Sequence, residues 1–178
     1  VRLDTNAGKG AALDAGHAHA VSTGPVDLLL LLDADLGATA AQATLLLGPV
    51  LAGTADMTVA AFPRPAGKAG FGLVKGLARW GIRRLGDPAF EADAPLSGQR
   101  ALGPSARAAC TPFARGYGVE VALTVRALRA GLRVIEVATT MEHAATGRDI
   151  AGFVHRGRQF AHVVAALLRL TFEQRSRI

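Results

Sequence analysis

A single cysteine, Cys110, stands in a chain of 178 residues. No intrachain disulfide can form, and such a chain suits a reducing compartment, here the cytoplasm. Long hydrophobic runs are missing too. The most apolar stretch, "LLLLL" at 28–32, is five residues, against the ~20 that a membrane-spanning helix requires. Acidic residues are outnumbered, 14 Asp and Glu against 20 Lys and Arg, leaving a net charge of +6 and a pI near 10.7. That balance favours acidic partners, whether phosphates, anionic lipid surfaces or nucleic acid. No internal repeat and no low-complexity linker breaks the chain, so residues 1–178 read as a single domain. Half the residues are hydrophobic, which excludes a disordered chain and is enough for one domain with a real core. The sequence opens at Val1, not Met, with almost nothing before its first motif. It reads as a fragment.

What is present alternates between strand and helix. Val1 to Leu3 looks like the end of a strand, and "DTNAGKG" like the loop after it. A helix over 9–23, rich in alanine, closes at "TGP"; a buried strand follows at 26–32. A helix is expected at 39–51 and a strand at 57–62. The segment "PRPAGKAGFG", 63–72, is a Gly/Pro loop long enough to be a mobile active-site element. A basic helix at 73–85 carries Lys75, Arg79, Arg83 and Arg84. "PLSGQRAL" gives a short strand, 105–113 a short helical piece, 117–130 a helix, 133–137 a strand, and 153–172 a long amphipathic helix. This alternation argues for an α/β sandwich.

The sharpest feature is "LLLLLDADLGA", in which an apolar run drives into Asp33 and Asp35. Central strands of a parallel sheet read as short apolar runs, and ligands of open α/β sheets gather outside their carboxyl ends. Two carboxylates converging there repel one another unless a cation is near. Asp33 and Asp35 are thus candidate ligands of Mg2+ or Mn2+, hard cations that take oxygen donors and are shared with substrate phosphates. "NAGKGAAL" places Gly8, Lys9 and Gly10 before a helix, where backbone N–H groups and a lysine make a phosphate cradle. It is not a Walker A loop: no glycine stands five residues before Gly8, and Gly10 takes the place of the Ser or Thr that would hold magnesium. His143, in a polar turn with Arg148 and Asp149, could add one imidazole to the same metal. His17 and His19 do not share a helix face and read as surface. Arg148, Arg156 and Arg158 could face phosphate or lipid, or simply water. Glu120 follows "GYG" and falls in the first turn of a helix, where the dipole favours an anion.

The order of "N-x-G-K-G-x-A-L", apolar strand plus "D-A-D", "P-L-S-G-Q-R-A-L", "G-Y-G-V-E-V" and "M-E-H" resembles the family 2 glycosyltransferases of GT-A fold. The resemblance runs from Asn6 to about Phe160. It points to the bacterial branch with dolichyl-phosphate-sugar-synthase-like enzymes, and "PFARGYGVEVALTV … MEH" also resembles glucosyl-3-phosphoglycerate synthases. It implies a GT-A sandwich with a mostly parallel central sheet, truncated at its N-terminus by at least one βα unit. It further implies that Gly8, Lys9 and Gly10 embrace the nucleotide diphosphate, that Asp33 lies near ribose and metal, and that Asp35 ligates the metal directly, with His143 a further ligand. Leu96, Ser97 and Gly98 match the segment beside the donor sugar. Glu120 matches an acidic residue that holds a sugar hydroxyl or acts as base, with Asp93 the alternative base. One departure bears on the acceptor. Phosphoglycerate synthases carry an arginine after the glycine that begins the acceptor loop, where this chain has Phe71 after Gly70.

The expectation is therefore a metal-dependent glycosyltransferase that moves sugar from a nucleotide-sugar donor to a polyprenyl phosphate or cell-envelope saccharide. Nucleic acid is not an expected partner. A cytoplasmic protein at the inner face of the membrane fits the basic helices, since these favour an anionic or membrane-borne acceptor. The rival reading is a non-catalytic fragment that binds anionic surfaces through those helices. A nucleotidyltransferase is a third, but it would want a glycine-rich loop with an arginine near the chain start.

Overall fold

The computed structural model describes residues 1–62, 72–142 and 150–175. Helix α1 (Lys9–Thr23) begins behind Gly8, whose φ of 84° is outside the helical region and whose N–H donates to Asn6 Oδ1. Strand β1 (Leu29–Leu31) follows, then a 3-10 stretch (Gly37–Ala43) that runs into α2 (Thr44–Leu51). Strand β2 (Met57–Ala61) leads to α3 (Gly72–Leu85), β3 (Arg100–Leu102) and α4 (Pro104–Cys110). A 3-10 turn (Gly116–Gly118) opens α5 (Val119–Arg129), which ends before Gly131 at φ 70°. Strand β4 (Val134–Ala138) and the long α6 (Ile150–Arg175) complete the chain.

The sheet has the order β1-β3-β2-β4. Strand β3 runs antiparallel to both β1 and β2, while β2 and β4 pair in parallel. The sheet is thus mixed, not mostly parallel as expected. The physical reason is that a strand buried on both faces is apolar whatever its direction, so "RAL" carries no mark of its antiparallel sense. Two local readings change as well. Residues 1–3 form no strand and are exposed, and the helix expected over 39–51 begins as 3-10.

Alternation along the strands builds two faces. Leu31, Met57, Val59 and Leu102 pack with Ala106, Cys110, Leu123 and Ala127 on α4 and α5. On the opposite face Ala60 and Ala101 meet Leu46 of α2, Leu36 and Met141. A further layer joins Val74, Ala78 and Ile82 of α3 to Val121, Ala122 and Val125 of α5 and to Val163, Leu167 and Leu170 of α6. Helix α5 lies between the sheet and this outer layer and is buried at every residue from Val119 to Val125, as a helix apolar on nearly all sides must be. Gly81 permits the close approach of α3 to α6: a Cβ there would lie 2.2 Å from Leu167 Cδ2.

Candidate functional site

The antiparallel strand is what assembles the site. Because β3 runs against β1, the residues that lead into it, Ser97 to Gln99, arrive at the carboxyl end of β1. Leu31 pairs with Arg100, and one step outward Asp33 meets the turn before β3. Gln99, fully buried, donates from Nε2 to Asp33 Oδ2 at 2.8 Å, and Ser97 Oγ donates to Gln99 Oε1 at 3.2 Å. Helix α1 then brings Lys9 across: its Nζ lies 2.7 Å from Asp33 Oδ1 and 2.8 Å from Glu120 Oε1. Three elements distant in sequence converge on one ammonium.

Burial alone would lower the Lys9 pKa. The Glu120 carboxylate first, then the bond to Asp33, more than offset that and hold the group above its ordinary value. Lys9 is therefore a cation throughout the neutral range, pinned between two carboxylates. Gly98 sits directly over the pair, since a Cβ there would fall 2.5 Å from Lys9 Nζ and 2.7 Å from Asp33 Oδ2. Gly10 packs its bare Cα against the backbone of Ala114 and Arg115. That contact docks the start of α1 on the loop before α5. Asp14 repeats the link one turn on, accepting the Phe113 N–H at 2.7 Å. Among the described residues the start of α1 has no side-chain cap hydrogen bond, and its first turn carries no acidic residue.

Of the residues expected at a site, the structure brings together Lys9, Asp33, Glu120, Ser97 and Gly98, with Gly8 and Gly10 at the start of α1. Asp35 follows Asp33 in the exposed turn after β1. Leu96 packs against the apolar layer of α3, α5 and α6. Asp93 stands on the α3 side, where its exposed carboxylate takes Arg79 Nη2 at 3.0 Å and its N–H donates to Glu136. His143, Gly70, Phe71 and Arg148 lie outside the described residues, as do the side chains of Arg156 and Arg158. Among the described residues no group of three or more His, Cys, Asp and Glu gathers as a metal cluster. The oxygen donors at the end of β1 are nonetheless of the kind that magnesium and manganese take. His17 is not plain surface: it lies edge-on to Phe113 with centroids 6.1 Å apart, and its Nε2 is 3.4 Å from Arg107 Nη1.

Sequence reasoning missed two residues, Gln99 and Arg100. The signal was the strand period itself, which puts Arg100 beside Leu102 on the buried face.

Solved structures share this architecture. Glucosyl-3-phosphoglycerate synthase from Mycobacterium tuberculosis, in complex with Mn2+, UDP-glucose and phosphoglyceric acid, superposes with a TM-score of 0.69 at 23% identity. The alignment covers 96% of this chain and 56% of that one. The fold is that of this synthase. The same enzyme with Mg2+ and UDP gives a TM-score of 0.68 at 22% identity, again over 96% and 56% of the two chains. A mycobacterial protein aligns at 27% identity and a TM-score of 0.67, over 96% of this chain and 53% of its own. The chain thus spans little more than half the length of the structures it matches. No protein-family model matches the chain, and no curated protein matches it. These neighbours agree with the fold that the glucosyl-3-phosphoglycerate-synthase resemblance implies; a likeness to dolichyl-phosphate-sugar synthases is not shown.

Proposed function

We propose that the chain is the catalytic portion of a glycosyltransferase that moves a sugar from a nucleoside-diphosphate donor, with Mg2+ or Mn2+ as cofactor. The observation that carries this reading is the Lys9 ammonium, held by Asp33 and Glu120 at the carboxyl end of β1 and the start of an uncapped helix. A leaving diphosphate gathers negative charge in the transition state, and a fixed cation with backbone N–H groups is what such charge calls for. Asp35, Asp33 and His143 are the residues that would hold the metal, which supplies Lewis-acid stabilisation of the same diphosphate. Gln99 fixes Asp33, and Ser97 and Gly98 form the surface on which the donor sugar rests. Glu120 orients Lys9. Neighbours solved with Mn2+ or Mg2+ and UDP support the cofactor and donor classes.

The acceptor we propose is anionic, a polyprenyl phosphate or a cell-envelope saccharide at the inner face of the membrane. Helix α3 supports this: Leu73 is 84% exposed and Trp80 59%, and Arg83 and Arg84 stand exposed on the same helix. Apolar side chains interleaved with basic ones suit an anionic lipid surface. Among the described residues no helix is long and apolar enough to cross a membrane.

The test is calorimetric titration of the full-length protein with UDP, with and without Mn2+, followed by donor turnover. Metal-dependent UDP binding that Asp35→Ala abolishes, with the fold intact by circular dichroism, is the expected result. Undiminished binding and turnover in that variant would remove Asp35 from the site. Adhesion to anionic vesicles with no nucleotide binding at all would favour the rival reading of a surface-binding module.

A further inference from the structure

Among the described residues Arg100 is the largest fully buried side chain, on an inner strand of the sheet. Its Nε donates to Ser97 O at 2.9 Å and its Nη1 to Thr124 Oγ1 at 2.8 Å. Thr124 Oγ1 in turn donates to Glu120 O one turn back along α5, at 3.2 Å. Among the described residues Nη2, which is buried, has no hydrogen-bond partner. Burial pushes the guanidinium down to about 10, and the Glu120 carboxylate gives the largest opposing pull.

Such a residue is hard to explain by stability. Replacing a buried charge by a well-packed apolar side chain is commonly neutral or stabilising, and the bare Nη2 adds to the cost. The position pairs with Val59 and shares a face with Leu102 and Met57, so methionine or leucine would suit the packing. What an apolar residue could not do is reach in two directions. One arm of Arg100 holds the turn that carries Gly98 over Lys9, and the other holds the helix turn that carries Glu120 against Lys9.

We infer that Arg100 is a positioning residue, which locks the Ser97–Gly98 turn to the first turn of α5 and so fixes the Lys9 ammonium. Without Arg100 the turn and the helix are no longer tied to one another, and the site loses the geometry that holds Lys9. The catalytic consequence rests on the reading of Lys9 as the donor-diphosphate residue; the structural consequence does not.

The experiment uses the full-length protein with Arg100→Met, Arg100→Lys and Thr124→Val. The primary readout is labelling of Lys9 by an amine-reactive ester, followed by peptide mass spectrometry with Lys75 as internal standard. Lys9 should label several-fold faster than the parent in folded Arg100→Met and Thr124→Val, with Arg100→Lys between. A residue that merely fills the core would lower the melting temperature and leave Lys9 labelling per folded molecule unchanged; that result overturns the proposal. If Arg100→Met fails to fold, Thr124→Val decides by the same criterion. Donor turnover is the second readout, and kcat should fall in Arg100→Met and recover in part in Arg100→Lys. A parent that transfers no sugar would count against the functional reading, and the labelling would still decide the role of Arg100.

Discussion

Gly98 has no room for a side chain because Lys9 is already there: a Cβ would stand 2.5 Å from the ammonium nitrogen. The residue lies just before β3 and the lysine at the start of α1, so the contact exists only because an antiparallel strand delivers its leading turn to the end of β1. The atoms in the way belong to the tips of two side chains, Lys9 and Asp33. They can move, at the expense of the ion pair.

Gly98→Ala should therefore fold with little loss of stability and work badly. Displacing a reacting group by about 1 Å costs on the order of 10²-fold in rate, and a loss of that size in kcat/KM for the nucleotide sugar is expected. Parent-like turnover in the alanine variant would show that the Lys9–Asp33 contact is not used in catalysis.

Gly10 gives the opposite balance. An added Cβ would lie 2.0 Å from Ala114 O and 2.8 Å from its carbonyl carbon, and backbone cannot swing aside. Gly10→Ala must push α1 off the loop before α5, with an overpacking cost of about 1–3 kcal/mol. Urea unfolding should show the midpoint falling by a corresponding amount. An unshifted midpoint would mean that α1 and the loop are not docked as described.

Much of the framework was legible because the signals are local. Apolar runs bounded by glycine and aspartate mark β1 and β2, and Gly8 and Gly131 mark a helix start and a helix end. Strand direction was not legible, since nothing in Arg100 to Leu102 distinguishes parallel from antiparallel, and the whole site turns on that direction. The same gap hid Gln99. As a polar residue after a serine-glycine pair it reads as turn, whereas its role comes from meeting Asp33, which is 66 positions away. Lys9 with Asp33 fared better, because glycine loops and strand-end carboxylates each announce a ligand chemistry. Their joining through Glu120 is a property of the packing of α5 and could not be read from the chain.

Cys110 gives a prediction free of any functional assumption. The thiol is fully buried, donates to Leu123 O at 3.4 Å, and is pushed up to about 11 by burial. The neutral form is favoured by the fold, so its contribution to stability is complete below the unfolded thiol pKa and is lost as pH rises toward the folded value. Native protein at pH 8 should react with a disulfide reagent only as fast as it unfolds, and the rate should jump in denaturant. Rapid labelling of native protein would place Cys110 at the surface.

Glu120 poses the mechanistic question, because one carboxylate is wanted for two tasks. A general base must be free to take a proton and is worth ~10²–10⁴ in rate. In the structure Glu120 Oε1 is instead engaged by Lys9 at 2.8 Å, with its side chain only 7% exposed. The arrangement suits a charge partner that holds the lysine in place. Glu120→Gln keeps the shape and an acceptor oxygen but removes the charge that is the main influence raising Lys9 against burial. Loss of that charge-assisted bond should cost about 1–3 kcal/mol. The cost should be pH-dependent with a definite sign. A raised lysine pKa contributes stability that is fully present below the unfolded value and lost as pH rises through the folded one, so parent and variant should converge in melting temperature above pH 10.5. Turnover should fall by about tenfold, less than removal of a base would cost, and mainly through a weaker hold on the donor. A fall of 10²-fold or more in kcat at unchanged donor KM would return Glu120 to the role of base. It would also leave Asp33, fixed by Gln99, as the carboxylate that holds Lys9.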